Sequence, residues 1–335
     1  MSANELPFVS IIVACRDEDA FIDRCLESII TSTYPTGKYE VLVVDGMSTD
    51  GSRRVVERHS LQHPSVRLLD NPKGIAAAAF NLGARAAQGD VILIMGAHAT
   101  YGPDYIERCV KALLQSGADN VGGVLKTVPR TETILGRSIA LALSHPFGVG
   151  DAVFRTGAKQ PMWVDTVFGG CYRRSAIERV GYWNEDLTYS QDLEFNRRLV
   201  ASGGRILLVP DIVVAYYART DLGAFIRHTM RNGVWSVLPF REASIMPVRW
   251  RHLVPGVFVS LLLALAGLSF GVPLARWGLL ALAGAYVGAA LAAGVVVAWR
   301  QRDVRYVVTM MIAFSTLHLA YGLGSLWGLA RLLRE

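Results

Sequence analysis

The chain has 335 residues, enough for one large domain or two ordinary ones, and 52% of them are hydrophobic. The apolar excess lies in residues 253–330, whereas residues 1–250 have the composition of an ordinary globular protein. The formal net charge of +6 suits a protein held against an anionic membrane surface. A basic chain can also bind nucleic acid, but the sequence has no nucleic-acid-binding motif, so we expect no such partner.

Three apolar segments in the C-terminal part are long enough to cross a membrane. Residues 253–275 and 277–299 contain no charged side chain. In residues 306–330 the only side chain that can carry a charge near neutral pH is that of His318. A helix of about 20 residues spans the hydrocarbon core of a bilayer. Buried helices of a soluble core rarely run this long without charge, so we predict three transmembrane helices.

The charge pattern predicts the side of the membrane on which the N-terminal part lies. The chain does not open with a basic segment followed by an apolar one, so we expect no cleavable signal. Three arginines separate the second and third spans and one separates the first two, which agrees in part with a cytoplasmic N-terminal part. We therefore expect a multi-pass protein of the cytoplasmic (inner) membrane, and the side of the C-terminus stays open. The four cysteines lack paired metal-ligand spacing and are expected to be reduced core residues.

Strands and helices alternate along the first hundred residues. Buried β-branched runs predict strands over residues 8–15, 39–44, 66–69 and 91–95. Apolar residues at helical spacing predict helices over residues 19–30, 52–59 and 75–87. This alternation predicts an α/β fold with a mostly parallel sheet, whose ligands bind beyond the carboxyl ends of the strands. Polar clusters follow three of the strands, at residues 16–18, 45–50 and 96–98.

Six segments, in order, resemble family 2 of the inverting glycosyltransferases, most closely the membrane-associated enzymes of succinoglycan and related exopolysaccharide synthesis. They are VSIIVACRDED, YEVLVVDGMSTDGS, NPKGIAAAAFNLGARAAQGD, SHPFGVG, FGGCYRRSAIERVGYWNEDL and QDLEFNRRL. The resemblance covers residues 7 to about 240. It implies a nucleotide-sugar-binding domain of GT-A type over residues 1–220. The residue pattern predicts an amphipathic membrane-interface region over 221–250 and a transmembrane domain over 251–335.

The resemblance also implies the reaction. The donor would be a nucleoside-diphosphate sugar, UDP-glucose by default, and the acceptor a polyprenyl-diphosphate-linked sugar or oligosaccharide of cell-surface polysaccharide synthesis. Transfer to polyprenyl phosphate itself is one alternative. A non-catalytic sugar-nucleotide-binding membrane scaffold is another, motivated by departures from the family pattern at Gly96 and Gln191.

Asp192 is the predicted catalytic base. Sugar transfer with inversion needs a group that takes the proton from the acceptor hydroxyl. The resemblance implies that this group is the second acid of a Glu-Asp pair near the start of a helix, and here Gln191 stands where the first acid would be. The alternative role is a helix-start carboxylate stabilised by the macrodipole, and the two roles are compatible.

The donor is expected at the polar clusters and at the Lys73-Gly74 turn. Asp45 ends the second strand, and the resemblance implies that it contacts the nucleotide; the alternative is a turn-forming Asx residue, which fits Asp50 better. Residues 16–18 could instead be solvated charges at the start of a helix. Lys73 and Gly74 could instead form an ordinary turn without a role in donor binding. The predicted donor-binding residues are Ala14, Arg16, Glu18, Asp45, Lys73, Gly74 and Ala97.

The acceptor is expected beside the catalytic base. The Gly-Gly-Cys segment resembles the loop and strand that shape the acceptor pocket, and Trp183 has an aromatic face that can stack on a sugar. Tight turns also need glycine, and core packing is the commoner fate of a Trp. The predicted acceptor-binding residues are Gly169, Gly170, Cys171, Trp183 and Gln191.

The segment from Asp221 to Phe240 is a predicted basic amphipathic helix. Its apolar face suits the membrane interface, and Arg227 and Arg231 are the predicted contacts to lipid headgroups or to a diphosphate. Three Gly-xxx-Gly pairs in the predicted spans permit close helix packing, at 267/271, 284/288 and 324/328.

The fourth predicted strand ends in Gly96, Ala97 and His98, where most of the family has Asp-x-Asp. The last carboxylate of that motif binds the metal on the donor diphosphate, and the exopolysaccharide group commonly has His there. A neutral imidazole can bind a divalent cation and shifts the preference towards Mn²⁺. We therefore expect Mn²⁺ or Mg²⁺, with His98 as the sole side-chain ligand on this loop. The alternative is a His98 that hydrogen-bonds the diphosphate or packs locally without metal.

Overall fold

A computed structural model describes residues 6–219, 221–242 and 248–334. These residues form two compact units. The first contains residues 6–126 and 157–216, and the second contains residues 127–156, 217–219, 221–242 and 248–334. The predicted domain boundary at residue 220 differs from the observed division of the chain. The reason is that residues 127–156 pack with the C-terminal helices in the second unit.

The nine strands are β1 (Val9–Cys15), β2 (Tyr39–Asp45), β3 (Val66–Asp70), β4 (Val91–Gly96), β5 (Ala99–Tyr101), β6 (Asn120–Pro129), β7 (Met162–Val164), β8 (Gly170–Arg173) and β9 (Ile206–Ala218) among the described residues. The helices described are α1 (Ile22–Ile30), α2 (Ser52–Gln62), α3 (Ala76–Ala86), α4 (Tyr105–Ser116), α5 (Ile134–Ala142), α6 (Pro146–Val149), α7 (Val153–Thr156), α8 (Arg174–Val180), α9 (Gln191–Ala201), α10 (Leu222–Val234), α11 (Pro239–Glu242), α12 (Trp250–Leu268), α13 (Pro273–Gln301) and α14 (Arg305–Leu332).

The sheet has the strand order β3-β2-β1-β4-β8-β6-β9-β5, and β7 pairs with β9. Strands β1 to β4 are parallel, as predicted. Strands β1, β2 and β4 are buried almost throughout, as in sheets whose two faces are covered by helices, whereas β3 is largely exposed or half-buried. Strand β8 then joins β4 antiparallel. The mostly parallel α/β fold is confirmed, and the carboxyl ends of β1, β2 and β4 lie side by side.

In the second unit, α12, α13 and α14 are long and apolar enough to cross a membrane, which confirms three candidate spans. The predicted limits of the first two spans are corrected. Helix α12 ends at Leu268 and α13 begins at Pro273, where proline occupies the first helical turn. Proline suits that position because its missing N–H would have no helical partner. The uncharged run to residue 275 therefore contains a turn.

Helix α14 is the centre of the second unit. Phe314 and Met310 are fully buried in a cluster with Ile139 of α5 and Phe225 of α10. Helix α10 ends at Val234, earlier than the predicted limit at residue 240, and its apolar face packs on α14 of the same chain. Helix α5 likewise packs on α14.

Candidate active site

The carboxyl ends of β1 and β4 are open. Ala14 pairs in register with Gly96, and both are partly exposed in strands that are otherwise buried. Ala97, the next residue, is buried again. This exposed pair lies at the strand ends where an α/β sheet binds its ligands.

The loops after β1 and β2 are tied together by side-chain hydrogen bonds. The Asp17 N–H donates to Ser48 Oγ at 3.0 Å, and the Thr49 N–H donates to Asp17 Oδ1 at 2.8 Å. Asp17 has φ of 53°, a left-handed conformation that is uncommon outside glycine. The first polar cluster is thus a fixed turn, and its charges are not simply solvated at a helix start.

Asp45 is 1% exposed and lies at the end of β2. Its carboxylate accepts from the Ser48 hydroxyl at 2.5 Å and lies 3.5 Å from the Arg53 guanidinium. Asp45 therefore forms the kind of turn that the sequence favoured for Asp50, and Asp50 forms one as well, accepting from the Ser52 N–H at 2.9 Å. The contact of Asp45 with a nucleotide stays a prediction.

Two cationic side chains lie beside the Gly74 turn. Arg16 donates to the Gly74 carbonyl at 3.0 Å, and Gly74 has φ of +64°. The positive φ favours glycine here, and a Cβ on Gly74 would require the end of the Arg16 side chain, 2.6 Å away at Nη1, to move. Lys73 forms an ion pair with Glu185 at 2.6 Å, and this hydrogen bond raises the pKa of Lys73 and lowers that of Glu185. These cations suit an anionic ligand such as a diphosphate.

His98 is held between two side chains that the sequence did not bring together, Glu18 and Tyr216. Its Nδ1 lies 3.0 Å from Glu18 Oε1, and its ring meets Tyr216 edge-on with centroids 5.0 Å apart. Tyr216 in turn meets Phe168 at 5.5 Å. A Cβ on Gly96 would lie 3.3 Å from Phe168 Cζ, so the aromatic ring fills the space next to Gly96. Sequence reasoning missed both aromatic residues: Phe168 begins the quoted segment FGGCYRRSAIERVGYWNEDL but was given no role, and Tyr216 lies outside the six segments.

The donor atoms present fit a divalent cation that is shared with a diphosphate. Within the described ranges, no group of three His, Cys, Asp or Glu side chains could hold a metal ion alone. His98 and Glu18 nevertheless bring one imidazole and one carboxylate to the same place. An imidazole nitrogen suits Mn²⁺ when substrate oxygens complete the coordination, and the Glu18 carboxylate lies within hydrogen-bond distance of that imidazole.

Asp192 lies in the first turn of α9 and is partly exposed. Burial raises the pKa of the Tyr172 phenol, and the nearby Asp192 charge raises it further. Glu194 has a different role, since it is buried and paired with Arg198 at 2.6 Å. Asp192 is therefore the more accessible of the two carboxylates in this turn.

A buried hydrogen-bond network fixes α9 against the sheet. The Asn196 side chain accepts from Tyr172 Oη and from Asn120 Nδ2, both at 3.2 Å, and donates to Thr166 Oγ1 at 3.0 Å. These four residues come from α9, β8, β6 and the loop before β8. Because the network is buried, it holds the helix that carries Asp192 in one position.

Three of the predicted acceptor residues, Gly169, Gly170 and Cys171, contribute more to the fold than to a binding surface. Gly169 and Gly170 have φ of 63° and 124°, and a Cβ on either would collide with Ile94 or Asn120. Cys171 is buried, and burial raises the pKa of its thiol well above the usual value. The side chain of Cys171 is therefore corrected from an acceptor contact to a core residue. The other three cysteines are free and buried, as predicted.

Trp183 is 3% exposed, so the prediction that its ring stacks on a sugar is corrected. The ring stacks on Phe195 with centroids 4.5 Å apart and meets Phe80 and Tyr172 edge-on. Gln191 differs, because its amide oxygen is buried without a hydrogen-bond partner in the described part of the chain. Gln191 precedes Asp192 in the chain, and its contact with the acceptor stays a prediction.

Arg227 and Arg231 lie on α10 and are exposed, as a role in headgroup or phosphate contact requires. They belong to the second unit, whereas the residues from Ala14 to Asp192 discussed above belong to the first.

Comparison with known proteins gives a consistent result. The family model described as "Glycosyl transferase family 2" matches residues 10–181. The chain is 31% identical over 330 residues to the succinoglycan biosynthesis protein ExoA of Rhizobium meliloti, covering 97% of this chain and 96% of that protein. It is 29% identical over 266 residues to a dolichyl N-acetyl-alpha-D-glucosaminyl phosphate 3-beta-D-2,3-diacetamido-2,3-dideoxy-beta-D-glucuronosyltransferase of Methanococcus voltae, covering 77% of this chain and 81% of that one.

Among solved structures, the chain is similar to the mannosyltransferase PcManGT of Pyrobaculum calidifontis, solved in complex with GDP-Man and Mn²⁺. The TM-score is 0.62 at 23% identity, with 97% of this chain and 88% of that chain covered. At this identity the likeness establishes the fold, which is the GT-A type.

Proposed function

The chain belongs to glycosyl transferase family 2, and from this premise we propose that it is a membrane-bound inverting hexosyltransferase. It moves a sugar from a nucleoside-diphosphate sugar to a polyprenyl-diphosphate-linked sugar or oligosaccharide in the synthesis of a cell-surface polysaccharide. The observation that carries this proposal is the 31% identity to a succinoglycan biosynthesis protein over 97% of the chain, which includes the membrane helices.

A lipid-linked acceptor is supported by two further observations. The three apolar helices provide a membrane anchor, and an enzyme held in the membrane meets lipid-borne substrates there. The Methanococcus voltae relative is named for a dolichyl-linked sugar phosphate. We place the protein in the cytoplasmic membrane with its catalytic domain facing the cytoplasm, where nucleotide sugars are made.

In this mechanism Asp192 takes the proton from the acceptor hydroxyl as that oxygen attacks the anomeric carbon of the donor. Its position in the first turn of α9, fixed through Asn196, gives the base a defined place. Gln191 accepts a hydrogen bond from the acceptor through its unpaired amide oxygen. The chemistry therefore needs the acceptor hydroxyl within hydrogen-bond distance of both residues.

The donor occupies the carboxyl ends of β1, β2 and β4, which are open at β1 and β4. Asp45 contacts the nucleotide, and the partly exposed Ala14 lines its path with backbone atoms, whereas the predicted donor contact of Ala97 is corrected to packing in the core. Arg16 and Lys73 attract the diphosphate, which the backbone at Gly74 can approach closely. A divalent cation, held by His98, would neutralise charge on the diphosphate as it leaves.

A donor screen tests the proposal. The purified protein is incubated with UDP- and GDP-sugars, with Mn²⁺ or Mg²⁺, and with lipid-linked or soluble acceptors. We expect release of the nucleoside diphosphate to depend on a lipid-linked glycan. Equal transfer to soluble sugars would contradict the proposal that the acceptor is lipid-linked. A product with a single sugar on a lipid monophosphate would favour a polyprenyl-phosphate glycosyltransferase.

A further inference from the structure

The contact between His98 and Glu18 determines which ring nitrogen of His98 is available to a ligand. Nδ1 lies 3.0 Å from Glu18 Oε1, and the Glu18 side chain is 9% exposed against 27% for His98. An ionised carboxylate can only accept hydrogen bonds, so a neutral His98 carries its proton on Nδ1. Nε2 then holds the lone pair that can bind a cation.

Glu18 is fixed in this position by its own backbone. Its N–H donates to Ser52 Oγ at 2.8 Å, and its carbonyl accepts from the N–H groups of Phe21 and Ile22, both at 2.9 Å. The preceding residue, Asp17, has the left-handed φ of 53°, a strained conformation of the kind found at functional sites. These hydrogen bonds fix the backbone of Glu18 next to the imidazole of His98.

The His98 ring is also restrained by its aromatic neighbour. The Tyr216 ring meets it at an interplanar angle of 66°, and Phe168 supports Tyr216 at 75°. The Glu18 hydrogen bond therefore selects the tautomer, while the aromatic contacts restrict rotation of the ring.

We infer that Glu18 is a positioning residue, which holds His98 as its Nδ1–H tautomer so that Nε2 is presented to the divalent cation of the donor diphosphate. The inference rests on the proposed function only in taking that cation as the ligand. Metal-binding histidines commonly donate their second N–H to a carboxylate, and loss of such a partner weakens metal binding about 10–100-fold. Glu18 thus acts through His98. The sequence predicted that Glu18 binds the donor, and in this arrangement it does so only indirectly, through His98 and the cation.

The tautomer is tested by ¹⁵N solid-state NMR of the full-length protein in lipid, labelled at its seven histidines, with His98→Ala to assign the signal. We expect Nδ1 to be protonated in the wild type. Glu18→Gln should keep that state, because the amide oxygen also accepts a hydrogen bond, and Glu18→Ala should lose the preference. A proton on Nε2 of wild-type His98 would overturn the inference, whether or not the protein transfers sugar.

The metal is tested by electron paramagnetic resonance of Mn²⁺ with UDP or GDP present. Glu18→Ala and His98→Ala should weaken Mn²⁺ binding about 10–100-fold, whereas Glu18→Gln should stay near the wild type. The matched control is Asp104→Ala, which removes a surface carboxylate paired with Arg108. An equal loss in Glu18→Gln and Glu18→Ala would overturn the inference, because the charge of Glu18 would then be a direct ligand. No Mn²⁺ binding in the wild type would overturn it as well, while sugar transfer in chelator reports separately on the proposed function.

Discussion

The two parts of the candidate site are built in different ways. At the ends of β1, β2 and β4, polar side chains hold one another, as Ser48 holds Asp45 and Glu18 holds His98. Around the start of α9, glycine backbone and buried aromatic rings shape the fold, and Asp192 is a partly exposed acid. The strand-end region is thus preorganised to bind, whereas the α9 region positions one reactive group. Substitutions should therefore weaken binding in the first region and reduce turnover or stability in the second.

The largest effect is expected for Asp192→Asn. Loss of a general base typically lowers turnover about 10²–10⁴-fold, and kcat should fall by such a factor while the KM for the nucleotide sugar stays unchanged. Steady-state kinetics in detergent or vesicles measures both. The control is Asp211→Asn on β9, an exposed carboxylate. A rise in donor KM at constant kcat would place Asp192 in the binding region instead.

Trp183→Ala should destabilise the first unit by about 3–5 kcal/mol, because a large buried aromatic side chain is removed from the core. Unfolding in denaturant, followed by tryptophan fluorescence, measures the change. Trp163→Ala is the matched control, since that ring is 45% exposed. A stable Trp183→Ala protein that has lost only affinity for the acceptor would restore the stacking role.

Gly96→Asp, which returns a carboxylate to the strand end, should destabilise the protein by about 1–3 kcal/mol through overpacking against Phe168. It should not tighten Mn²⁺ binding. The double variant with Phe168→Ala should recover part of the loss caused by Gly96→Asp, as a double-mutant cycle of stabilities would reveal. Additive effects would mean that Phe168 does not restrict residue 96.

The smallest effect is expected for Lys73→Ala. Lys73 is an exposed cation already paired with Glu185, so the KM for the donor should rise only about two- to fivefold at constant kcat, in line with the modest value of exposed charge pairs. Lys159→Ala, at another exposed lysine of the first unit, should leave KM unchanged. The increase for Lys73→Ala should shrink at high salt, because the interaction is electrostatic.

The parallel half of the sheet and the three apolar helices could be predicted from the sequence because each is a local pattern. Continuous β-branched runs mark doubly buried strands, and uncharged runs mark the spans. The contacts of His98 could not be predicted, since Glu18 and Tyr216 reach it through the sheet topology and not through spacing. Trp183 shows the converse, because a Trp near a motif gives no indication of whether its ring is buried.

The glycine pairs of the apolar helices illustrate the same limit. A Cβ on Gly324 or Gly328 of α14 would collide with the backbone of Met230 or Val234 on α10. Gly284 and Gly288 of α13 have the same spacing, yet open space surrounds them in the described part of the chain. The Gly-xxx-Gly spacing therefore predicts that another helix can pack closely. It does not predict which helix packs there or whether one does.

The most direct test of the proposed function is mass spectrometry of the lipid fraction after the protein is incubated with a nucleotide sugar and a polyprenyl-diphosphate-linked glycan. We expect the glycan to grow by one sugar with the wild type and to remain unextended with Asp192→Asn. Equal extension by both proteins, or transfer to soluble sugars with no change in the lipid fraction, would contradict a membrane glycosyltransferase that uses Asp192 as its base.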